Sequence, residues 1–248
     1  MLFILLGGLV GAIGTLIGVG GGFILIPVLL FLFPENGSVW ITAVSLWVVA
    51  MNSTSGSVTY YFKNRIHVKT AMVFILASLP GALIGVWLGH FVDRSVFEKI
   101  FALCLISYSA VLFFKKESAA TVLHQSILAR QVYVLCGVVS FFVGMLASFF
   151  GIGGGVIHVP LLSNLMGFPV HLATGTSQVI LAVTAIVATI SHLVSGDLNW
   201  QDPLLWQIGL GAVVGAQIGA KLSAKVSGRV ILKILSVALF IVGVRLFA

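Results

Sequence analysis

Apolar residues occur along this chain in ten long runs that are separated by short polar stretches. The runs cover about residues 2–17, 22–33, 40–62, 70–91 and 97–114 in the first half, and about 132–150, 154–167, 172–194, 203–220 and 230–247 in the second. A helix needs about 20 apolar residues to cross the hydrocarbon layer, and most of the runs approach that length. The pattern predicts an all-α integral membrane protein with about five hydrophobic segments in each half.

Composition and charge support this prediction. Only 8% of the 248 residues are charged and 60% are hydrophobic, whereas soluble domains carry roughly 25% charged residues. No Asp, Glu, Lys or Arg occurs between Arg130 and Asp197. A water-soluble domain is therefore excluded. The net charge of +7 comes mainly from short loops, which indicates orientation in a lipid bilayer and no nucleic-acid partner.

The two halves of the chain repeat one another. The sequence "GVGGGFILIP" at residues 18–27 returns as "GIGGGVIHVP" at residues 151–160, with the four glycines, an isoleucine and the proline unchanged. The repeat continues with "TAVS" at 42–45 and "TGTS" at 174–177. Such long-range similarity indicates an internal duplication of transporter size. We expect a first membrane repeat over 1–116, a linker over 117–131 and a second membrane repeat over 132–248.

The positions of the basic residues predict how the repeats lie in the membrane. Three loops hold ten of the 13 Lys and Arg residues, namely Lys63, Arg65, Lys69, Lys115, Lys116, Arg130, Lys221, Lys225, Arg229 and Lys233. Basic loops stay in the cytoplasm, so residues 117–131 form a cytoplasmic linker and both termini lie on the periplasmic or extracellular side. Corresponding loops of the two halves then face opposite sides, which predicts inverted repeats.

The second run of each half is too short to cross a bilayer upright. The first two runs of each half can therefore be two crossings or one re-entrant hairpin. Both arrangements return the chain to the same side, so the charges are compatible with either. A single broken helix is disfavoured, because it would place the basic loop after residue 220 outside.

The repeated glycines predict a break in each half. We call residues 18–22 the first glycine motif and residues 151–155 the second. Glycine costs about 1 kcal/mol relative to alanine inside a helix, and main chain freed at membrane depth must line a cavity or be buried in protein. The helix that resumes presents N–H groups and a positive dipole end, which suits an anion. We expect the two motifs to meet near the midplane, with Gly20, Gly21, Gly22, Gly153, Gly154 and Gly155 lining the site.

With these motifs the chain resembles the sulfite exporter TauE/SafE family over essentially its whole length. The resemblance implies a carrier in the bacterial inner membrane for a sulfur-containing anion such as sulfite, a sulfonate or sulfoacetate. The second half matches the family pattern more closely, because Thr176 and Ser177 supply two hydroxyls where the first half has Val44 and Ser45.

Polar residues inside the apolar runs complete the predicted site. Intramembrane polar groups are costly and usually face the interior of the bundle. Hydroxyls and amides can bind an oxyanion without a full positive charge, and the residues we expect to line the path are Ser45, Asn52, Thr176, Ser177 and Gln178. Two histidines, His158 and His192, are candidates for proton handling, because histidine titrates near neutral pH.

The leading interpretation is a secondary transporter that is proton-linked or a uniporter; the alternatives are an anion channel and, less favoured, an integral-membrane enzyme. A channel or a cation carrier would require deep carboxylates, and an integral-membrane enzyme would require a nucleophile with its base or a metal cluster; neither pattern occurs in the apolar runs. We therefore expect no catalytic residue, no metal and no cofactor. Cys104 and Cys136 lie in apolar runs and are expected to be core residues. The sequence indicates no oligomeric state.

Overall fold

The fold was determined as a computed structural model that describes residues 1–114, 128–223, 240–241 and 243–244. The helices are α1 (Leu2–Ile17), α2 (Gly22–Leu32), α3 (Ser38–Phe62), α4 (Val68–Gly89), α5 (Arg94–Phe114), α6 (Leu128–Phe150), α7 (Gly155–Pro160) with a following π-helical turn (Leu161–Leu165), α8 (Val170–Val194) and α9 (Pro203–Leu222). No strand occurs within the described ranges. The all-helical prediction is confirmed.

Three of these helices, α4, α8 and α9, are long and apolar enough to cross a membrane. The nine predicted segments that fall in the described ranges match the observed helices to within four residues at each end. Most of the tenth segment and most of the linker over 117–131 lie outside the described residues, and so do Lys116 and Lys225.

The first two helices form a hairpin whose tip is the first glycine motif. The Phe3 ring at the start of α1 stacks against Phe33 at the end of α2, with 6.2 Å between ring centroids. Gly21 lies against Val10 in the middle of α1. The start of α1 and the end of α2 therefore lie together, and α2 is antiparallel to α1.

The helix pairings are the same when the two halves are exchanged. Helix α1 packs on α9 and α6 packs on α4, while α3 packs on α9 and α8 packs on α4; α3 and α8 also pack on each other. Because α1 to α4 correspond in sequence to α6 to α9, these pairings of one half have their counterparts in the other.

Glycines permit the closest of these pairings. A methyl group on Gly211 or Gly215 of α9 would overlap a carbonyl oxygen of α1, and one on Gly81 or Gly85 of α4 would overlap a carbonyl oxygen of α6. Small residues allow such close approach between apolar helices. The contacts run in the same order along both partners, so α1 is parallel to α9, and α4 is parallel to α6.

Helices α3 and α8 cross in the centre in opposite directions. Gly56 of α3 lies beside Gln178, whereas Tyr60, one turn later, lies beside the earlier residue Gly175. Between them the buried side chains of Val49 and Leu181 occupy equivalent positions of the two halves. Cys136 is buried, but Cys104 is exposed on the surface of α5, so the expectation of a core position is wrong for Cys104.

Candidate functional site

The two glycine motifs have the same backbone conformation. In the first motif Gly18, Gly20 and Gly21 have φ angles of 84°, 84° and 85°. In the second motif Gly151, Gly153 and Gly154 have φ angles of 71°, 82° and 76°. Glycine adopts this left-handed region readily, whereas an L side chain is penalised there. Three of the four repeated glycines are therefore required by the main-chain turn that ends one helix and starts the next.

The fourth glycine of each motif is required by contact between the motifs. A methyl group on Gly22 would overlap the carbonyl oxygen of Gly151, and one on Gly155 would overlap the carbonyl oxygen of Gly18. The two contacts are equivalent under exchange of the halves. The two motifs therefore contact each other directly, and their position near the midplane stays a prediction.

Two predicted residues, Ser45 and Ser177, connect the halves at this point. Ser45 Oγ donates a hydrogen bond of 2.7 Å to the carbonyl oxygen of Gly151. Its counterpart Ser177 donates one of 3.1 Å to the carbonyl oxygen of Gly18. Both side chains are fully buried. Each serine therefore binds the first glycine of the opposite motif through a carbonyl oxygen that the helix break leaves without a helical partner.

Asn52 lies against the first motif only. Its Nδ2 donates to the carbonyl oxygen of Gly20 at 3.1 Å, and its Oδ1 accepts from the Thr15 hydroxyl at 2.9 Å. Thr15 in turn accepts, through its main-chain oxygen, a hydrogen bond of 3.0 Å from the Tyr60 hydroxyl. At the position equivalent to Asn52, Thr184 instead donates to Ile180 O of its own helix. The polar network is thus confined to one half.

Two buried polar side chains beside the first motif have no hydrogen-bond partner within the protein. These are Ser53 Oγ and both amide atoms of Gln178, on side chains with 0% exposure. A methyl group on Gly20 would lie 3.3 Å from Ser53 Oγ, and one on Gly56 would lie 3.3 Å from Gln178 Oε1. Buried polar groups are normally hydrogen-bonded, so Ser53 near Gly20 and Gln178 near Gly56 each lack a contact that such groups usually make.

Thr176 lies outside this cluster. Its Oγ1 accepts a hydrogen bond of 3.0 Å from the main-chain N–H of His67. The residue therefore holds the loop between α3 and α4 against the start of α8. The structure brings together the two glycine motifs, Ser45, Asn52, Ser177 and Gln178, and it places Thr176 at one end of the α3–α8 pair.

The two histidines have different surroundings. His158 is buried against Phe74, and its Nε2 lies 3.0 Å from Ser140 Oγ. Because the single Ser140 hydroxyl hydrogen is donated to Phe74 O, we assign the Nε2 proton to His158. His192 instead contacts a carboxylate, with Nδ1 at 2.7 Å from Asp197 Oδ2.

Sequence reasoning missed several partners of the predicted residues. Thr15 and Ser140 are hydroxyl residues in apolar runs that the repeat alone does not distinguish from packing residues. His90, at the end of the apolar run over 70–91, and Asp197, in the polar stretch after residue 194, are not candidates from the sequence. A usable signal exists for one of them, since Asp197 lies 132 positions after Arg65, the same offset that relates His192 to Tyr60.

Comparison with known proteins agrees with these features. The sequence profile described as sulfite exporter TauE/SafE matches residues 3–246. The chain is 29% identical to the probable membrane transporter protein YunE of Bacillus subtilis over 219 residues, which are 81% of this chain and 80% of the relative.

Two further relatives are also described as probable membrane transporter proteins. The one from Methanocaldococcus jannaschii is 29% identical, over 77% of this chain and 72% of the relative. The one from Haemophilus influenzae is 30% identical, over 86% of this chain and 80% of the relative. No solved structure matches the chain. With its duplicated glycine motifs and the profile match over nearly its whole length, the chain belongs to the sulfite exporter TauE/SafE family and is a multi-pass membrane transporter.

Proposed function

We propose that this transporter carries a small sulfur-containing oxyanion of the sulfite, sulfonate or sulfoacetate type, as a uniporter or with proton linkage. The observation that carries the proposal is the unpartnered pair Ser53 and Gln178 beside the first glycine motif. A serine hydroxyl and a glutamine NH₂ group both donate hydrogen bonds, and an oxyanion accepts them. Because both donors are uncharged, binding is weak enough to permit release.

The glycine motifs contribute main-chain donors in this proposal. The first N–H groups of the helix that follows each motif, at Gly22 and Gly155, have no acceptor within the helix and lie at its positive dipole end. The neighbouring carbonyl oxygens would repel an anion, but Ser45, Asn52 and Ser177 donate hydrogen bonds to them. We therefore assign these three side chains to orienting the motifs, and Ser53 and Gln178 to contacting the ligand.

We further propose that α1–α2 and α6–α7 are re-entrant hairpins in two inverted repeats, within a bacterial inner membrane. The Phe3–Phe33 contact supports a hairpin. The parallel packing of α1 on α9 and of α4 on α6 supports inversion, because α4 runs opposite to α1 when α2, α3 and α4 each reverse the direction of the chain. Loop charges then place both termini on the periplasmic side.

We propose that the proton of any proton-linked transport binds to a histidine side chain, that of His158 or His192. Their surroundings favour His192, since it has a carboxylate partner at 2.7 Å that would stabilise an imidazolium. The hydrogen-bond partner of His158 is the neutral Ser140 hydroxyl. His192 is therefore the leading candidate in this proposal.

Anion binding is tested directly on purified protein by measuring its melting temperature with sulfite, methanesulfonate, sulfoacetate, chloride and phosphate. Ligand that binds only the folded state stabilises it in proportion to RT ln(1 + [L]/Kd). We expect sulfite or one of the sulfonates to raise the melting temperature more than chloride at equal ionic strength. Equal responses to all five anions would refute the proposal.

Two variants locate the site. Ser53→Ala and Gln178→Met remove groups that form no hydrogen bond within the protein, so melting without ligand should be unchanged or slightly raised. Ligand affinity should fall about ten-fold for each, at 1.4 kcal/mol per decade. Thr189→Val is the matched control, because Thr189 Oγ1 is also buried without a partner but lies in a groove of about 540 Å³ between α3, α8 and α9. Equal loss of affinity in the control would place the site in that groove.

Topology is tested with single cysteines at two exposed positions in a background lacking Cys104 and Cys136. Asn199→Cys should react with an impermeant thiol reagent in intact cells, whereas Lys69→Cys should react only after the cells are opened. The reverse pattern would contradict the proposed orientation while leaving the anion proposal standing.

A further inference from the structure

The carboxyl ends of α3 and α8 have the same main-chain geometry but opposite charges. After α3, Asn64 has a φ of 53° and the N–H of Arg65 donates back to the last turn of the helix at 3.0 Å. After α8, Gly196 has a φ of 80° and the N–H of Asp197 donates back in the same way at 2.9 Å. This is a left-handed helix C-cap in both halves. At equivalent positions, therefore, one half has a cation and the other has a carboxylate.

The two charged side chains differ in their partners. Asp197 Oδ2 lies 2.7 Å from His192 Nδ1 and 3.0 Å from His90 Nε2. The guanidinium group of Arg65 forms no hydrogen bond or ion pair with any described residue, and its Nη1 is buried. The Arg65 side chain as a whole is partly exposed. Since a buried ionic group without a partner is costly, Arg65 carries donors that the fold leaves free.

Two lysines lie beside Arg65. Lys63 Nζ donates to Ala220 O at 2.8 Å, which holds the end of α3 against the end of α9, where Lys221 is exposed. Burial of Lys63, followed by repulsion from Arg65 and Lys221, lowers the pKa of the Lys63 ammonium group. The three cations are thus close enough to repel one another.

No carboxylate in the described ranges neutralises this cluster. Lys221 lies in the last turn of α9 and Asp202 caps its start, about 28 Å away at 1.5 Å per residue. All the acidic residues of these ranges lie at the other ends of α3, α4, α8 and α9 or in the first turns of α5, namely Glu35, Asp93, Glu98, Asp197 and Asp202. Orientation in the membrane accounts for exposed lysines at a loop, but it does not account for a buried guanidinium nitrogen without an acceptor.

A line of polar groups leads from Arg65 to the first glycine motif. Arg65 lies within electrostatic range of the Tyr60 hydroxyl, which donates to Thr15 O at 3.0 Å. The Thr15 hydroxyl donates to Asn52 at 2.9 Å, and the Asn52 amide bonds the motif itself. The cationic end of α3 is therefore connected to the centre of the molecule by side chains that can form hydrogen bonds.

The proposed ligand contact Gln178 lies beside this line. A methyl group on Gly56 would lie 3.3 Å from both Gln178 Oε1 and Thr15 Oγ1, so the unpartnered amide and the Thr15 hydroxyl are neighbours. An anion that follows the line inward from Arg65 thus reaches the group to which its binding is assigned.

We propose that Arg65, together with Lys63 and Lys221, forms a second anion site at the end of α3, between the solvent and the site at Ser53 and Gln178. It rests on the proposed function, in that the ligand is the same oxyanion. The planar guanidinium group offers paired N–H donors to two oxygens of a sulfonate or a sulfite. The two ammonium groups add positive charge, and the partial exposure of the cluster lets an anion reach it from solvent.

The test measures equilibrium binding of methanesulfonate to the purified full-length protein by calorimetry at low ionic strength. Four proteins are compared: wild type, Arg65→Gln, the double variant Ser53→Ala/Gln178→Met, and the triple variant that combines them. Wild-type protein should bind at two sites, and Arg65→Gln and the double variant should each weaken a different one by about ten-fold or more, as expected for loss of hydrogen bonds to a charged group. The triple variant should bind at neither.

Raising the salt concentration separates the two sites further. Exposed charges are screened by salt more strongly than buried groups. Binding that remains in the double variant should therefore weaken steeply between about 20 mM and about 500 mM NaCl, whereas binding that remains in Arg65→Gln should weaken less.

The Arg65 variants should fold, because the substitution removes a side chain that bonds nothing in the described protein. The main chain of Arg65 stays held by the C-cap hydrogen bond and by close contact of its carbonyl oxygen with Gly175. Arg65→Lys is the second variant; it keeps the charge but loses the paired donors, so its affinity should fall between those of wild type and Arg65→Gln. Lys69→Gln is the matched control, since it removes one exposed charge at the start of α4 and should bind like wild type.

Wild-type binding by Arg65→Gln, together with no binding by the double variant, would overturn this inference and leave the proposed function intact. An equal loss of affinity in Lys69→Gln would also overturn it, because net charge alone would then explain the effect. Full binding by the double variant that disappears with Arg65→Gln would support the inference and refute the location of the inner site. Absence of binding of both methanesulfonate and sulfite to wild-type protein would overturn the proposed function, and this inference with it.

Discussion

The two halves of this transporter share a backbone but differ in the side chains around it. Gly18 and Gly151 begin the same main-chain turn, and each accepts a hydrogen bond from a serine of the other half. Beyond this shared centre the halves diverge, because Asn52 anchors the first motif while its counterpart Thr184 bonds its own helix. The glycine turn and its serine hydrogen bond, which the fold requires, occur in both halves. The hydrogen bonds of Asn52 occur in the first half only.

The same division holds at the ends of α3 and α8. The C-cap geometry occurs twice, but Tyr60 and Arg65 in one half correspond to His192 and Asp197 in the other. The two ends of a symmetric main-chain frame therefore carry different charges.

The largest expected effect is a difference in stability between two alanine variants. Each carries alanine at the third positive-φ glycine of one motif, Gly21 or Gly154. Both Gly21 and Gly154 have positive φ, so alanine costs about 1–2 kcal/mol at either position. At Gly21 the new methyl group would lie 2.7 Å from the carbonyl oxygen of Val10, which is main chain and cannot move independently. At Gly154 it would lie 3.1 Å from the side chains of Ala147 and Val143. Gly21→Ala should therefore lose about 1–3 kcal/mol more stability than Gly154→Ala.

Unfolding in a denaturing detergent titration measures this difference. Gly167→Ala is the control for conformation alone, because Gly167 has a φ of 68° and open space around it. Equal destabilisation by all three substitutions would mean that packing around the motifs contributes nothing. Because alanine at either motif should lower stability, a loss of transport by these variants would not by itself identify a ligand contact.

An intermediate effect is expected where the halves differ in polar contacts. Asn52→Leu leaves the carbonyl oxygen of Gly20 and the hydroxyl of Thr15 without partners, at a cost of about 1–3 kcal/mol for each buried group. Thr184→Val removes a hydrogen bond within one helix, whose carbonyl acceptor keeps its helical partner, so the cost should be below about 1 kcal/mol. The free energy of unfolding of the two variants is the measurement. A larger loss for Thr184→Val would contradict the asymmetry.

The smallest effect is expected where the halves are alike. Ser45→Ala and Ser177→Ala each remove one hydrogen bond to a glycine carbonyl oxygen, which should cost about 1 kcal/mol. The two losses should agree within about 0.5 kcal/mol. Ser78→Ala is the control, since the buried Ser78 hydroxyl bonds Ile75 O of its own helix. A loss from only one of the two serines would show that the motifs are not held equivalently.

The sequence by itself determined the helices and the places where they break. Runs of apolar residues predict helix positions because the main-chain N–H and C=O groups of each run must hydrogen-bond to one another in lipid. The predicted run over residues 2–17 has the same bounds as α1. Repeated glycines predict the breaks because other residues resist the left-handed conformation. Gly81, Gly85, Gly211 and Gly215 could likewise be recognised as close-packing positions from their spacing.

Tertiary structure alone decided what the polar side chains contact. Ser45, Ser177 and Thr176 are all hydroxyl residues in apolar runs, yet two bond the glycine motif of the other half and the third accepts from the N–H of His67. His158 and His192 both lie in apolar runs, yet one faces a serine and the other an aspartate. These partners are 106 residues away for Ser45 and 159 residues away for Ser177. A periodic pattern fixes which face of a helix is buried, but only the packing of distant helices brings a particular donor to a particular acceptor.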